Sequence, residues 1–331
     1  MHRKDVIFFG SDGIALRLLE FLVHSDTLRL SGIVSKPDMP SGRGHRVEET
    51  EVSRFARTNG IPLLTPRRPD EATAAWMRSV GCDLVLVMAY GHILGKNILE
   101  VPPLGIYNFH ASMLPKYRGA SPIETAIACG ETETGVSLMR IVEEMDAGAV
   151  ADVERVPIGC DDTYRQISEK ISGACPVMLG RNLDALCSGT LHLSEQSHAN
   201  ATFTRKLSKS DGLLDFSLPA EALKNRIRAL TPHIGCVLEY DGISLKIGAA
   251  SAHSNRCEDF RSGQIVAVES DAISVATADG LLLIGELQRP GGRMLKIKDF
   301  INGFPIEPGK ILPSHPSREL VSVSPFNKFH K

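Results

Sequence analysis

The sequence predicts an α/β fold, a doubly wound and mostly parallel sheet (a Rossmann-like domain), followed by a smaller all-β domain. In the first half, short apolar runs alternate with segments of helical period, as in strand–helix–strand units. The run Asp83–Ala89 is apolar on both faces, which is typical of a central parallel strand. In the last third, short β-type runs are separated by turn pairs such as Asp241-Gly242. These three observations give the fold class.

The helices and strands of the first domain are predicted from the period of the hydrophobic residues and from the turn residues between them. Helical period is seen just after the first strand and again over Asp162–Leu186, where Ile167, Ile171, Cys175 and Met178 share one face. The predicted strands are Val6–Phe9, Leu30–Val34, Pro62–Leu64, Asp83–Ala89, Gly105–His110 and Val136–Ile141.

A polar stretch, Ser188–Asn200, predicts a linker, and one helix near Ala220–Leu230 then precedes five short strands. Five strands in about 100 residues fit a small barrel, of which the OB type is one candidate. The predicted strands are Val237–Tyr240, Ser244–Ile247, Gln264–Val268, Ala272–Ala276 and Gly280–Ile284.

The length of 331 residues is about twice the typical ~150 of one domain, which predicts two domains. The expected limits are 1–187 for the α/β domain, 188–205 for the linker, 206–315 for the β domain and 316–331 for a tail. The tail is rich in Ser, Pro and Lys, so we expect it to be disordered.

Composition and charge exclude some classes of protein. Hydrophobic residues make up 43% of the chain, which excludes a disordered protein. Lys and Arg number 37 against 39 Asp and Glu, so no overall basic excess indicates a nucleic-acid binder. The net charge is −5 up to Thr204 and +3 from Arg205 onward. This asymmetry suggests different partners for the two halves, although an ordinary solvated surface also explains it.

The seven cysteines are scattered and form no C-x-x-C pair, which argues against a zinc ribbon, a redox dithiol or a disulfide framework. No apolar run is long enough to span a bilayer, and the apolar run Val6–Phe9 is too short for a signal peptide. The histidines show no zinc spacing. We therefore expect a reduced, cytoplasmic protein without membrane contact or metal.

Two turns follow the first two strands, where α/β sheets bind ligands. Gly10-Ser-Asp-Gly13 is not G-x-G-x-x-G and does not support a nicotinamide dinucleotide. Ser35–Arg46 contains two prolines, two glycines and four basic residues, counting His45. This composition predicts an exposed, mobile loop.

The most informative strand is Gly105–His110. Asn108 and His110 lie two residues apart, so their side chains share one face at the strand's carboxyl end. An amide beside an imidazole can stabilise a carbonyl oxygen that becomes negative during acyl transfer. Asp146, in an acidic turn, could orient His110 and stabilise its cationic form. From the residues alone, a structural histidine and an ordinary turn aspartate fit as well.

The run from Asn108 to Pro122 resembles the signature of the folate-dependent formyltransferases, and Gly130–Gly135 with Met145–Gly148 is similar to that family's second motif. The resemblance covers Val6 to Ile311 and implies Asn108, His110 and Asp146 as catalytic residues. It also implies 10-formyltetrahydrofolate as the formyl donor, without a metal. The folate would contact Val87, Met88, Tyr90, Gly91, Ile93, Leu94, Ser112, Met113, Leu114 and Pro115.

Three segments resemble the branch of the family that formylates the α-amine of initiator methionyl-tRNA for translation initiation: Lys36–Arg46, Lys206–Phe216 and Asn225–Pro232. This likeness implies a C-terminal OB-like tRNA-binding domain, with the tRNA as partner and no obligate protein partner. It implies tRNA contacts by Lys36, Arg43, Arg46, Lys206 and Lys209. The chain departs from the family pattern at Ser11–Ile14, Gly95, Met113 and Asp152.

Three other functions stay open at this point. A sugar-nucleotide N-formyltransferase uses the same folate donor and the same Asn, His and Asp set. A hydrolase of formyltetrahydrofolate needs no amine acceptor. A non-catalytic RNA-binding protein could use the barrel alone.

Overall fold

The computed structural model describes residues 3–41, 46–254 and 259–326. The chain forms two compact units. The first comprises Met1–Ala120, Thr134–Val156 and Ser168–Phe203, and the second comprises Ser121–Glu133, Pro157–Ile167 and Thr204–Lys331. The predicted fold class is confirmed: the first unit holds a mostly parallel sheet and the second an antiparallel β region.

Strands in the first part of the chain are β1 (Lys4–Gly10), β2 (Leu28–Val34), β3 (Met39–Ser41), β4 (Arg46–Glu48), β5 (Leu63–Leu64), β6 (Leu84–Met88), β7 (Ile106–His110), β8 (Arg118–Gly119), β9 (Glu133–Arg140) and β10 (Val150–Pro157). Seven of them form one sheet in the order β10-β9-β7-β6-β1-β2-β5. Each neighbouring pair in the run β7-β6-β1-β2-β5 is parallel, whereas β9 runs antiparallel to β7. The sequence did not predict β10.

The middle of this sheet is buried on both faces. All five residues of β6 are buried, as expected for a parallel strand covered by helices. Local capping fixes where those helices begin: Thr50 accepts a hydrogen bond from Ser53 N–H, and Asp70 forms a capping box with Thr73. The helices in this part of the chain are α1 (Leu16–Val23), α2 (Glu51–Thr58), α3 (Glu71–Val80), α4 (Lys96–Leu99), α5 (Pro122–Ala128) and α6 (Tyr164–Ser188), of which α5 belongs to the second unit. Helix α6 matches the predicted Asp162–Leu186.

The polar stretch predicted as a linker is attached to the first unit. Val150 and Ser194 exchange backbone hydrogen bonds of 2.8 Å, and Gln196 is buried. Further on, Arg118 N–H donates to Thr202 O over 2.8 Å, just before strand β11 (Phe203–Thr204). The polar composition of this stretch predicted exposure to solvent, but its polar groups form hydrogen bonds with other parts of the protein.

The second unit contains α7 (Ala220–Leu230), as predicted, and more strands than the five expected. Two four-stranded antiparallel sheets have the orders β12-β13-β18-β19 and β14-β17-β16-β15. A core that includes Phe216, Leu223, Leu245 and Ile284 fills this unit. Its elements are β12 (Cys236–Tyr240), β13 (Ile243–Ile247), β14 (Ala250–His253), β15 (Ile265–Val268), β16 (Ile273–Ala276), β17 (Leu281–Ile284), β18 (Glu286–Gln288), β19 (Leu295–Lys296), α8 (Ile297–Gly303) and β20 (Val321–Ser322).

The expectation of a disordered tail is wrong for residues 315–322. His315 N–H donates to Leu214 O over 2.9 Å, and Ser317 N–H donates to the Asp215 carboxylate over 2.9 Å. Arg205 Nε donates to Glu319 O over 2.8 Å. Specific polar partners in the second unit therefore hold a segment whose composition alone suggests disorder.

The segment Ser35–Arg46, predicted as an exposed, mobile loop, contains two short strands. Strands β3 and β4 pair as an antiparallel hairpin, with Met39 opposite Glu48 and Ser41 opposite Arg46. Residues 42–45, which include the predicted contact Arg43, lie outside the described residues. In the described part of the chain, no helix is long and apolar enough to cross a membrane.

A buried ion pair joins the start of the second unit to a short 3₁₀ turn. The Arg205 guanidinium donates to both carboxylate oxygens of Asp211 over 2.5 and 3.0 Å. Ser208 adds hydrogen bonds to the same carboxylate from its backbone N–H and its hydroxyl. Burial acts to raise the pKa of Asp211, but these hydrogen bonds outweigh it and the net direction is downward. The ionised form is therefore the stable one in the folded protein.

We expect Asp211→Asn to lower the free energy of unfolding by roughly 3 kcal/mol at neutral pH, because Arg205 would be left without its charge partner. A carboxylate whose pKa is depressed by folding stabilises the protein above its unfolded pKa of about 4, and this contribution is lost as pH falls through the folded value. Urea unfolding from pH 7 down to pH 3 measures both effects. An exposed control, Asp26→Asn, should change little. A difference between wild type and Asp211→Asn that stays constant over this pH range would contradict the assignment.

Candidate active site

Strand β7 presents Asn108 and His110 on the same face, as the alternation of a strand requires. In the register, Asn108 lies opposite Val87 of β6 and Met139 of β9, while His110 lies opposite Ser137 of β9. The Asn108 side chain is half-buried and makes no hydrogen bond to any residue that the structure describes. Its amide is available to a ligand.

The imidazole of His110 is fixed by its backbone surroundings. The side chain is 6% exposed, and Nε2 donates to the Tyr117 carbonyl over 2.9 Å. Because a carbonyl only accepts, Nε2 carries a proton in this arrangement. The other nitrogen, Nδ1, lies 3.7 Å from Asp146 Oδ2. This separation is longer than a hydrogen bond, so a proton on Nδ1 remains available to a reacting group.

Asp146 has an unusual backbone conformation. Its φ of 51° lies in the left-handed region, which Asp and Asn adopt more readily than other side chains. Oδ2 accepts a hydrogen bond of 2.8 Å from Gly119 N–H, and it is also the oxygen that faces His110. One carboxylate oxygen thus joins the β8 backbone to the imidazole. The structure places Asp146 beside His110, and Asn108 lies on the same face of β7 as His110.

Two glycines allow the loop around Asp146 to pack closely. A Cβ on Gly148 would lie 1.9 Å from the Arg140 carbonyl oxygen, so only glycine fits there. A Cβ on Gly135 would lie 2.3 Å from Glu154 O and 2.9 Å from Met113 Cγ. The methionine that departs from the family pattern therefore packs directly on a glycine of β9.

The segment after β7 is shaped by two serines. The Ser112 hydroxyl donates to Lys116 O over 2.6 Å, and the Ser137 hydroxyl donates to Ser112 O over 2.7 Å. Ser137 Oγ also accepts from Leu114 N–H over 3.0 Å. The Leu114–Pro115 peptide is cis. The residues predicted to bind folate in this segment are thus held by β9.

The ten predicted folate contacts divide by burial. The side chains of Val87, Met88, Tyr90, Leu94 and Ser112 are buried, so for these five the backbone is the part that can contact a ligand. Ile93 is 58% exposed, Gly91 is exposed, and Met113, Leu114 and Pro115 are partly exposed. Ile93, Leu114 and Pro115 therefore present accessible apolar surface in the segments that follow β6 and β7.

The predicted tRNA contacts are placed separately. Lys36, at the end of β2, has its Nζ 2.8 Å from the position that a Cβ on Gly91 would occupy, so it lies beside the loop after β6. Burial, aided by the charges of Lys36 and Arg68, lowers the pKa of His92 in that loop. Arg46 begins β4, and Arg43 lies outside the described residues. Lys206 and Lys209 are exposed on the second unit.

The turn after β1, where the chain departs from the family pattern, is held by its own side chains. Asp12 accepts a hydrogen bond from Ile14 N–H and caps the 3₁₀ turn Gly13–Ala15. Ser11 Oγ donates to Ala89 O over 3.0 Å, in the loop after β6. Ala89 itself has a φ of 51°. The departure thus connects the turn after β1 to the loop after β6.

Sequence reasoning missed two buried residues beside the catalytic set. Arg118, only 1% exposed, donates from Nε and Nη2 to Gln196 Oε1 over 3.1 and 2.8 Å. Gln196 Nε2 in turn donates to the carbonyls of Asp146 and Gly148. Arg118 lies inside the first motif and could have been noticed there, but nothing in the sequence marks Gln196.

The arrangement suits acyl transfer: an amide and an imidazole at the end of a strand, with a carboxylate facing the imidazole. The Asp146 carboxylate lies 3.7 Å from Nδ1 of the imidazole. Within the described ranges, no group of three His, Cys, Asp or Glu side chains could hold a metal ion.

Comparison with known proteins agrees with this geometry. The family model "Formyl transferase" matches residues 6–181, and "Formyl transferase, C-terminal domain" matches residues 206–305. The methionyl-tRNA formyltransferase of Roseiflexus castenholzii is 37% identical over 93% of this chain and 98% of its own length. That of Thermotoga neapolitana is 35% identical over 92% of this chain and 96% of its own.

Solved structures show the same fold at low sequence identity. The sugar 3N-formyl transferase WlaRD, crystallised with dTDP and 5-N-formyl-THF, has a TM-score of 0.62 at 18% identity and covers 87% of this chain and 98% of its own. The methionyl-tRNA formyltransferase from Clostridium thermocellum has a TM-score of 0.54 at 16% identity, over 76% of this chain and 95% of its own. From the family match and the identity to full-length relatives, the chain belongs to the formyl transferase family.

Proposed function

We propose that this protein transfers a formyl group from 10-formyltetrahydrofolate to the α-amino group of methionyl initiator tRNA in the cytoplasm. The single observation that carries the proposal is the Asn108, His110 and Asp146 set at the carboxyl end of β7, in a chain whose relatives of about 35% identity are named methionyl-tRNA formyltransferases. The donor is supported by family membership and by a neighbouring fold crystallised with a formyl folate.

In the proposed reaction the neutral amine attacks the formyl carbon, and negative charge develops on the formyl oxygen. The Asn108 amide and the Nδ1–H of protonated His110 stabilise that charge, since Nε2 is already bound to Tyr117 O. Asp146 stabilises the imidazolium and accepts, directly or through water, the proton that the amine releases. The C–N bond to the folate then breaks, and the folate nitrogen takes a proton.

The choice of acceptor rests on the rest of the chain. Sugar N-formyltransferases share the fold but are only about 18–19% identical, whereas relatives named for methionyl-tRNA reach 37% over nearly the whole chain. The C-terminal part also carries a net charge of +3 and exposes Lys206 and Lys209. Positive charge on the C-terminal part of the chain suits a polyanionic acceptor.

One assay distinguishes the candidate functions. The purified protein is given 10-formyltetrahydrofolate with initiator methionyl-tRNA, with a dTDP-linked amino sugar, or with no acceptor. We expect formyl transfer to the tRNA only. Transfer to the sugar supports the alternative, a sugar-nucleotide N-formyltransferase. Release of formate from 10-formyltetrahydrofolate without an acceptor indicates a hydrolase.

We expect His110→Ala to lower turnover by about two orders of magnitude, the usual cost of removing one donor to an oxyanion. Folate binding, measured by fluorescence titration, should stay near the wild-type value because the apolar contacts of the donor are elsewhere. The exposed His192→Ala is the matched control and should keep full activity. Turnover of His110→Ala within about threefold of wild type would refute the role of the imidazole.

We expect Arg43→Ala to weaken use of the tRNA while folate binding is unchanged. If Arg43 contacts a phosphate, its loss should reduce the slope of log affinity against log salt by about one unit. The control Arg78→Ala removes an exposed charge from helix α3. Equal affinity and an equal salt slope in the two variants would show that Arg43 makes no phosphate contact.

A further inference from the structure

The loop that carries Asp146 begins far from His110, the residue that the Asp146 carboxylate faces. Ile141 N–H donates to Ile106 O over 2.8 Å, and Arg140 N–H donates to Ala149 O over 2.9 Å, so the base of the loop lies at the start of β7. Asp146 nevertheless contacts His110 at the end of that strand. The loop must therefore fold back along β7, and it needs attachments beyond its base to keep that position.

Gln196 supplies such an attachment. Its Nε2 donates to Asp146 O over 2.9 Å and to Gly148 O over 2.7 Å. The residue is 7% exposed, so these bonds do not compete with bulk water. Two carbonyls on one side require the amide nitrogen there, and the Arg118 guanidinium on the other side requires the amide oxygen. The orientation of the amide is therefore unique.

The same backbone segment holds the imidazole. Thr202 Oγ1 accepts from Tyr117 N–H over 2.8 Å, and Thr202 O accepts from Arg118 N–H over 2.8 Å. Tyr117, with a φ of 60°, is the residue whose carbonyl binds His110 Nε2. Residues 196–202 thus contact the supports of both catalytic groups.

The guanidinium of Arg118 is a buried charge next to Gln196. Burial lowers its pKa, while Glu144 and Asp146 act in the opposite direction. Its Nη1 lies 3.9 Å from Glu144, and its guanidinium lies 5.9 Å from the centre of the Phe203 ring. A buried guanidinium is costly unless it is well paired, so its position against Gln196 indicates a structural demand at that point.

From these contacts we propose that Gln196 is a positioning residue for formyl transfer: its side-chain amide holds the Asp146 loop in place from a segment that the sequence marks only as polar. The kinetic part of this proposal rests on the proposed function. The positional part rests on the contacts alone and can be tested without substrates.

The informative variant is Gln196→Glu. The side chain keeps its size and still accepts from Arg118, but it loses both donor bonds and places a carboxylate oxygen against two carbonyls. We expect kcat to fall about tenfold or more, because each lost hydrogen bond is worth about 1 kcal/mol and 1.4 kcal/mol is tenfold in rate. The KM values for folate and tRNA should stay within about twofold, since neither substrate contacts Gln196. Glu195→Ala, at the exposed neighbouring position, is the matched control.

A double variant tests the route of the effect. If Gln196 acts through Asp146, Gln196→Glu combined with Asp146→Asn should be no slower than Asp146→Asn alone. Independent, multiplied losses would overturn the proposal, as would a kcat of Gln196→Glu within twofold of wild type. A loss of rate that only follows the unfolded fraction in a thermal melt would also overturn it.

Amide hydrogen exchange at Gly119 provides the readout without substrates, because its N–H donates to Asp146 Oδ2. In Gln196→Glu, exchange at Gly119 should accelerate about tenfold, whereas the Ile141 amide at the base of the loop should be unchanged. Unchanged exchange at Gly119 would overturn the proposal. If the wild-type protein fails to formylate tRNA but Gly119 responds as expected, the proposed function is wrong and the positioning role remains.

Discussion

The conformation of Asp146 is the constraint on which the geometry of the candidate active site depends. A non-glycine residue at a φ of 51° costs on the order of 1–3 kcal/mol and persists only where its surroundings fix it. Here Gly119 N–H binds the carboxylate and Gln196 binds the carbonyl. This conformation places the carboxylate oxygen Oδ2 of Asp146 3.7 Å from Nδ1 of His110. Strand β8 and the polar stretch before β11 therefore serve the site as much as the fold.

The sheet supplies the other half of the geometry. Because β6 and β7 are parallel neighbours, the loop after Met88 and the segment after His110 leave the sheet at one edge. The first carries the exposed Ile93, and the second carries Leu114 and Pro115. The apolar side chains of Ile93, Leu114 and Pro115 are thus accessible at this edge, whereas Met88 and Tyr90 are buried in the core. Strand β9 closes this region on its other side, where Ser137 holds the segment after β7.

Period and composition were enough to predict every strand of the large sheet except β10, helix α7 and the shared face of Asn108 and His110, because these depend on local alternation and burial. Asp146 could be placed beside His110 only by resemblance, since the contact joins distant parts of the chain. Gln196 and the segment 315–322 could not be predicted. Both lie in polar stretches whose partners, Arg118 for the first and Asp215 for the second, are known only from the fold. Polar sequence indicates exposure until a buried partner is known.

The departure from the family pattern at Ser11–Ile14 is also explained by hydrogen bonds within the chain. The side chains that replace the family's usual residues bind within this chain: Asp12 caps its own turn, and Ser11 donates to Ala89 O. Ala89 lies between β6 and the exposed Gly91, so this bond supports a loop in which Ala89 has a φ of 51°. The turn after β1 therefore supports the loop after β6, in which Gly91 and Ile93 are exposed. The departure from the family pattern leaves the contacts of His110 and Asp146 intact, because none of those contacts involves residues 11–14.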